Sequence, residues 1–505
     1  MKNIIVGLDI GTTKIACFIG RPGSKPGKAQ VIGFGKTESV GVEHGIVINI
    51  MQTADSIRKA VRQASEQAGY EVTEVYVGIA GQHIKSMQSQ GTTVIPPDHT
   101  LITQEDVDKI CEEQNRIMMG PGEEIIHIIP QSYIVDNEVL SSEISPVGVA
   151  GKCLKANFHI ITGNTININN IRLSIEEAGL KVKGVVLEPI ASALATLDSR
   201  DKNAGVALVD IGGGTTDIAV FCDSNIRHTS VLPMAGNSIT EDIRKGCNIL
   251  KGQAESLKTK FGSCLPSSTS EDEVISIPGI RNQPPREISR KTLAGIIHSR
   301  IQLILEQIEY ELQLSGCKDE LHAPITLTGG GSKMQHLQDL CAFTTGMDCR
   351  IGTPDEHLEE VVPDPNSNLR SPKLTEISDP MYSTCIGLLL YGLEHTKFEE
   401  EAATEINEKP QETTQQTNDT TTPQPNIDSN DIFAGLNDLG KNAPHPTENP
   451  FAENGTTPKS DPEPTSNGKS SNKGNGKVNA PKVGLGDAVT RYFARLFTEN
   501  TDSEN

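Results

Sequence analysis

No stretch of this sequence approaches the ~18 consecutive apolar residues of a membrane-spanning helix, so a spanning segment is not expected. Met1-Lys-Asn-Ile-Ile runs straight into a strand pattern, and the expectation is a chain without a signal peptide. Tryptophan is absent, and aromatic residues make up 4% of the 505 residues. The ten cysteines stand singly with no CxxC pair, and Cys17, Cys222 and Cys385 lie inside apolar patterns. A disulfide framework is therefore improbable at this length, and the thiols read as buried in a reducing compartment. Basic residues are in deficit, 45 against 66 acidic, for a net charge of −21. That balance argues against general nucleic-acid binding, local basic patches aside. What remains is a large soluble chain, 35% hydrophobic, long enough for about three or four domains.

The chain is organised around Val206-Ala-Leu-Val-Asp210-Ile-Gly-Gly-Gly-Thr-Thr-Asp217. A buried strand pattern turns through Gly212, Gly213 and Gly214, and apolar residues resume at Ile218 to Phe221, predicting a strand, a glycine hairpin and a second strand. Three glycines let the backbone approach a ligand with N–H groups facing inward, the geometry that holds a phosphate oxygen. Thr215 and Thr216 add hydroxyls, and Asp210 leaves the strand where it can face a hydrated Mg²⁺. The same device occurs at the start: Ile4 to Leu8, then Asp9-Ile-Gly11-Thr12-Thr13-Lys14, then Ile15 to Ile19. Such a repeat implies two similar domains, each supplying a hairpin to one cleft. Neither turn is a Walker A loop or a GxGxxG fingerprint, because both of those open a helix and here strand follows strand.

The paired hairpins resemble the actin, sugar-kinase and heat-shock-chaperone ATPase superfamily, in which they are phosphate loops one and two. Three further stretches match it in order. Ile325-Thr-Leu-Thr-Gly329-Gly330-Gly331-Ser332, with a helical pattern from Met334 to Phe343, looks like the adenosine-binding turn; Val185-Val-Leu-Glu188-Pro-Ile-Ala191 and Ser383-Thr-Cys-Ile-Gly387 look like the two connecting helices. The resemblance implies an α/β, two-lobed, actin-like fold with duplicated five-stranded-sheet cores, binding ATP and Mg²⁺. It implies that Gly11, Thr12, Thr13 and Lys14 with Gly212 to Thr216 hold the phosphates, and that Asp9 and Asp210 organise the hydrated metal. Glu255 and Lys258, three apart on one helix face, would frame the nucleoside with Gly329, Gly330, Gly331 and Ser332; a plain solvent-facing ion pair is the alternative for the first two. Glu188 matches the residue that positions the water for hydrolysis.

In chain order, residues 1–83 read as the core of the first half: after the hairpin, strands at Val31 to Phe34 and Gly45 to Ile50, a helix from Thr53 to Ala68 with Ile57, Ala60, Val61 and Ala64 on one face, Gly69 as its stop, and a strand at Val75 to Ile79. Residues 84–162 read as an inserted α/β subdomain with a capping box at Thr103 and Asp106 and strands at Ile125 to Ile129, Gln131 to Val135 and Phe158 to Ile161. Residues 163–197 and part of 370–395 complete the first core. The second core is expected at 198–235, completed by 319–369. An upper subdomain is expected at 236–318, with a helix capped by Asn237 or Ser238 and carrying Glu241 and Asp242 in its first turn, and a long amphipathic helix from Thr292 to Leu314. Residues 396–480 are rich in Glu, Thr, Gln, Asn, Pro and Ser and predict a flexible tether, interrupted by an apolar island at Asp431 to Leu439 that is either a partner-binding motif or an accident of composition.

The last element, 481–498, predicts an amphipathic helix. Leu485, Val489, Tyr492, Phe493, Leu496 and Phe497 share one face, with Arg491 and Arg495 on the flank, a pattern suited to an anionic membrane surface; a protein-docking helix is the alternative. The position of the insertion, the phrases Val77-Gly-Ile-Ala-Gly81 and His159-Ile-Ile-Thr-Gly163, and the terminal helix resemble the FtsA family of bacterial cell-division proteins. That resemblance implies a weak ATPase at most, which polymerises at the cytoplasmic face of the cell membrane at the division site. It also implies binding of the FtsZ C-terminal tail through 236–318, self-association in filaments, and recruitment of later division proteins. A small-molecule kinase of the superfamily, with Glu188 or a loop acid as base, stays open; a heat-shock-type ATPase would need a folded domain after residue 395.

Overall fold

The computed structural model describes residues 3–141, 144–279, 284–361 and 371–408. Two sheets are built on one plan. In the first, the strands run in the order Lys181–Leu187, Glu74–Ile79, Ile5–Ile10, Lys14–Pro22, Ala29–Glu38, Leu358–Glu359; in the second, Cys349–Ile351, Ile325–Thr328, Val206–Ile211, Thr216–Cys222, Asn225–Leu232. In each, the strand carrying the first Asp pairs antiparallel with its hairpin partner and parallel with a strand returning from a helix. The hairpin registers correspond, Asp9 facing Ala16 and Asp210 facing Asp217. Both hairpins are buried throughout their apolar positions, as central strands covered on both faces must be.

The first sheet departs from the expected five strands by one. Leu358–Glu359, within the stretch assigned to the second half, adds parallel to Ala29 and Gln30 at the sheet's edge. Two residues carry too little alternation to be read as a strand; Glu359 is held there by accepting from the Ser24 backbone N–H and hydroxyl. A second difference lies before the first helix. The strand expected over Gly45 to Ile50 is only Ile46–Val47, paired with Val42–Glu43, because Asn49 caps the helix at Gln52 N and starts it at Ile50. That helix, Ile50–Ala68, lies against Ala29–Glu38 so closely that a Cβ on Gly35 would overlap the Ala60 carbonyl.

The insertion is a four-stranded sheet, Lys85–Val94, Cys153–Asn164, Glu123–Val135 and Glu138–Val139, backed by Gln104–Gln114 with the expected capping box. Lys85–Val94 was not expected; its outward residues are nearly all exposed and polar, so it lacks an apolar face to read. The two runs around Pro130 are one strand with an irregular register.

In the second half, helices Gly236–Cys247, Lys251–Phe261 and Arg290–Leu314 pack on one another, and the last buries Leu293, Ile297, Ile301, Ile304, Leu305, Ile308 and Leu312. Neither Asn237 nor Ser238 caps the first of these. It begins at Gly236, and its leading N–H groups at 236 and 237 donate instead to the carbonyls of Gly212 and Gly213, at 3.2 and 2.7 Å. Glu241 and Asp242 consequently fall in its second turn, where they pair with Arg244 and Arg300. The adenosine-side helix starts later than expected, at Leu337, after a 3₁₀ turn over Gly330–Lys333. The second connecting helix, Ser383–Glu408, overruns the expected start of the tether at 396, since the Glu- and Ala-rich run there has high helix propensity. No helix among the described residues is long and apolar enough to cross a membrane. The apolar island and the 481–498 helix, with Leu485, Val489, Arg491, Tyr492, Phe493, Arg495, Leu496 and Phe497, lie outside the described residues.

Candidate nucleotide cleft

The two glycine hairpins meet tip to tip. A Cβ on Gly213 would overlap Thr13 and one on Gly214 would overlap Thr12, so glycine is required there by close approach. A loop of the first half completes the contact. His44, in the left-handed region at φ 47°, donates through Nδ1 to the Gly214 carbonyl at 3.1 Å, and Gly45 N–H donates to Thr12 Oγ1 at 3.0 Å. Behind the hairpins lies a cavity of about 420 Å³, lined on the phosphate side by Asp9, Gly11, Thr12, Thr13 and Lys14, by Asp210, Gly212, Gly213, Gly214 and Thr215, and by Glu188. Glu255, Lys258, Gly330 and Gly331 line its other end.

Three expected residues do not face the cavity. Thr216 is fully buried and donates its hydroxyl to the Met234 carbonyl at 2.7 Å. Ser332 donates to the Gly329 carbonyl at 2.7 Å, and Gly329, at φ 82°, is packed against Asp210 and Ile211. These three shape the turns, and the hydroxyls of Thr216 and Ser332 are spent on backbone carbonyls that need donors.

Four carboxyl groups converge on the cavity. Asp9 is ion-paired with Lys14. Asp210 accepts from Ser192 Oγ at 2.6 Å and Thr384 Oγ1 at 3.1 Å, one hydroxyl from each connecting helix. Asp217 accepts from Thr215 at 3.0 Å, and its Oδ1 is buried without a hydrogen-bond partner. Glu188 opens the first connecting helix, Glu188–Thr196, beneath Gly78. Burial, then the neighbouring Asp9, Asp217 and Asp210, push the Glu188 carboxyl well above the usual carboxylate range; burial and Asp210 do the same to Asp217. Asp210 is also raised, since burial outweighs its two hydroxyl donors. For Lys14 burial works against the charge, but the pull of Asp9, with Cys385 and Asp210 behind it, more than offsets this and leaves the pKa raised. One lysine among four acids leaves an excess of hard oxygen donors, and the orphaned Asp217 oxygen adds to it. That donor set suits a hydrated Mg²⁺.

At the far end, Lys258 pairs with Glu255 at 2.8 Å and donates to the Gly236 carbonyl and Thr240 Oγ1 at 3.0 and 2.9 Å. The pair is therefore not a free surface ion pair; it ties helix Lys251–Phe261 to the helix that begins on the second glycine loop. Sequence reasoning passed over Asp217, Ser192, Thr384 and His44. Asp217 closes the Asp210–Asp217 motif, and its place opposite Asp210 was a readable signal; Ser192 and Thr384 lie in or beside the two connecting-helix stretches, but nothing local singles out their hydroxyls, and His44 carries no local pattern.

Duplicated sheets, a hairpin from each lobe and crossing helices beneath define the actin-like fold. A solved chain of a PilM–PilN type IV pilus biogenesis complex shares that fold at a TM-score of 0.55, with 17% identity over 77% of this chain and 98% of its own. The family model for cell division protein FtsA matches residues 207–387, the model for the SHS2 domain inserted in FtsA matches 81–162, and that for Hsp70 protein matches 169–225. The cell division protein FtsA of Pseudomonas aeruginosa is 35% identical over 78% of this chain and 90% of its own length; that of Neisseria meningitidis is 38% identical over 77% and 90%, and that of Escherichia coli 32% over 78% and 91%. This chain belongs to the FtsA family of cell division proteins.

Proposed function

We propose that the cleft binds ATP with Mg²⁺ and that its occupancy governs assembly of an actin-like polymer, which tethers FtsZ filaments to the cytoplasmic face of the membrane at the division site. The observation that carries the reading is the pairing of two glycine hairpins with four carboxyl groups and Lys14 around one cavity. Gly11 to Lys14 and Gly212 to Thr215 would hold the phosphates, with Thr216 shaping the second loop. Asp9 and Asp210 would orient the waters around Mg²⁺, which when bound neutralises charge on the phosphates and would also offset the charge of Asp217 opposite Asp210. Glu255, Lys258, Gly330 and Gly331 would frame the nucleoside, with Gly329 and Ser332 setting the turn.

Glu188 is placed to orient a water. Burial first, and then its acidic neighbours, push its carboxyl well above the usual carboxylate range, which disfavours the charged form that would take a proton and fits slow hydrolysis or almost none. Residues 236–318 would receive the FtsZ tail, 84–162 would take part in subunit stacking, and the 481–498 helix would bind anionic lipid and so bring later division proteins to the membrane. Nothing in the family comparisons favours the small-molecule kinase. Titration of a fluorescent ATP analogue tests the cleft: Asp210→Ala is expected to abolish the Mg²⁺-dependent gain in affinity. Wild-type affinity in that variant would return the glycine turns to plain hairpins.

A further inference from the structure

Away from the cleft, the second half gathers two thiols and a carboxylate. Cys222 closes the strand Thr216–Cys222, at the end opposite Thr216 and Asp217. It is held by a two-residue hairpin turn in which Asp223 and Ser224 adopt φ 50° and 62°, pairing Cys222 with Asn225. Cys317 follows the long helix Arg290–Leu314, and Glu320 N–H donates to the Cys317 carbonyl at 2.9 Å across the 3₁₀ turn Lys318–Glu320. Residues three apart in such a turn stack on one side. That turn brings Cys317 and Glu320 up to Cys222, and the two sulfurs and a carboxylate oxygen all lie within 4.8 Å of one another.

We propose that Cys222, Cys317 and Glu320 form a site for a borderline-soft divalent cation of the zinc class, with solvent in the fourth position. Two sulfurs bound tetrahedrally to one zinc ion stand about 3.8 Å apart, inside the observed spread, so small side-chain rotations close the site. Thiolate donors disfavour Mg²⁺ and Ca²⁺, which separates this position from the all-oxygen cleft. Cys222 is buried, Cys317 is partly exposed and Glu320 lies at the surface, giving an ion an entry side and a protected floor. Without a cation, burial, Cys317 and Glu320 together push the Cys222 thiol up to about 12; a bound cation removes that repulsion and releases the thiol protons. The bound ion would fasten the end of the second sheet to the end of its longest helix. Cys341 and Cys349 also lie close enough to interact, but no third ligand joins them among the described residues, and they serve as an internal control.

The test is titration of the reduced, chelator-stripped full chain with Co²⁺ alone, followed by Zn²⁺. The expected result is a thiolate-to-cobalt charge-transfer band that saturates at about one equivalent and is bleached by Zn²⁺. Cys222→Ser and the less buried Cys317→Ser should abolish the band, Glu320→Gln should weaken binding by about tenfold or more, and Cys341→Ser should leave it unchanged. Absence of the band, its survival in Cys317→Ser, or its loss in Cys341→Ser overturns the site. So does a Cys222–Cys317 disulfide found by peptide mapping in a protein that takes up no Co²⁺ after reduction.

Discussion

Asp217 is 3% exposed, faces Asp210 across the hairpin, and has one oxygen without a partner. Its folded-state pKa is raised by burial and by Asp210, as that of Glu188 is by burial and by Asp9, Asp217 and Asp210. Between an unfolded carboxyl pKa of about 4 and those raised values, the folded state holds more protons than the unfolded one. Stability of the nucleotide-free protein should therefore fall as pH rises through that window. Asp217→Asn removes one of the repelling charges. Thermal melting is expected to show it more stable than wild type at neutral pH, with the gain vanishing below the unfolded carboxyl pKa of about 4. A variant that melts below wild type at neutral pH would mean that Asp217 is needed for more than charge, as a structural acceptor for Thr215.

At the scale of elements, the two connecting helices cross beneath the cleft with almost no space between them. A Cβ on Gly387 would overlap the Ala191 carbonyl, and this approach sets Ser192 and Thr384 against the same carboxylate oxygen of Asp210. Gly387→Ala should thus lose more by forcing the helices apart, about 1–3 kcal/mol, than the ~1 kcal/mol it gains in helix propensity. Chemical denaturation should show net destabilisation, and ATP affinity should fall with it because the Asp210 supports move. Gly295, on the long helix with nothing within 4 Å of an added Cβ, provides the contrast: Gly295→Ala is expected to stabilise. Equal effects of the two substitutions would rule out the close crossing as the cause.

For the whole molecule, the proposed tethering role needs a connection between the cleft and a membrane, which the proposal gives to residues 481–498. Burial of Phe493, Leu496 and Phe497 in a bilayer would contribute on the order of 4–9 kcal/mol before ordering costs, and Arg491 and Arg495 would add about 1 kcal/mol each near an anionic surface. On that proposal the attachment would be reversible for a single chain and strengthened by avidity in a polymer. Full-length protein should float with anionic liposomes and not with neutral ones, and Phe493→Asp should abolish flotation. Flotation indifferent to lipid charge and to Phe493→Asp would assign the helix to a protein partner.

The hairpins and the separate unit over 84–162 were legible because each rests on a local signal, a buried apolar run, a glycine turn or a capping box, whereas the connecting helices and the meaning of the insertion's place came from the family resemblance. Such patterns state which face of an element is buried. They do not state what lies opposite. Only the folded chain put Ser192 and Thr384 on Asp210, His44 on the Gly214 carbonyl, and Leu358–Glu359 on the edge of the first sheet. Only the folded chain turned Thr216 and Ser332 away from the cavity, because in a tight turn the nearest unsatisfied carbonyl competes with any ligand for a hydroxyl. Apart from the local bond of Ser332 to Gly329, the partners in these contacts are chosen over longer sequence separations, by whichever surfaces the packed core leaves adjacent, and no periodicity within a single segment encodes that choice.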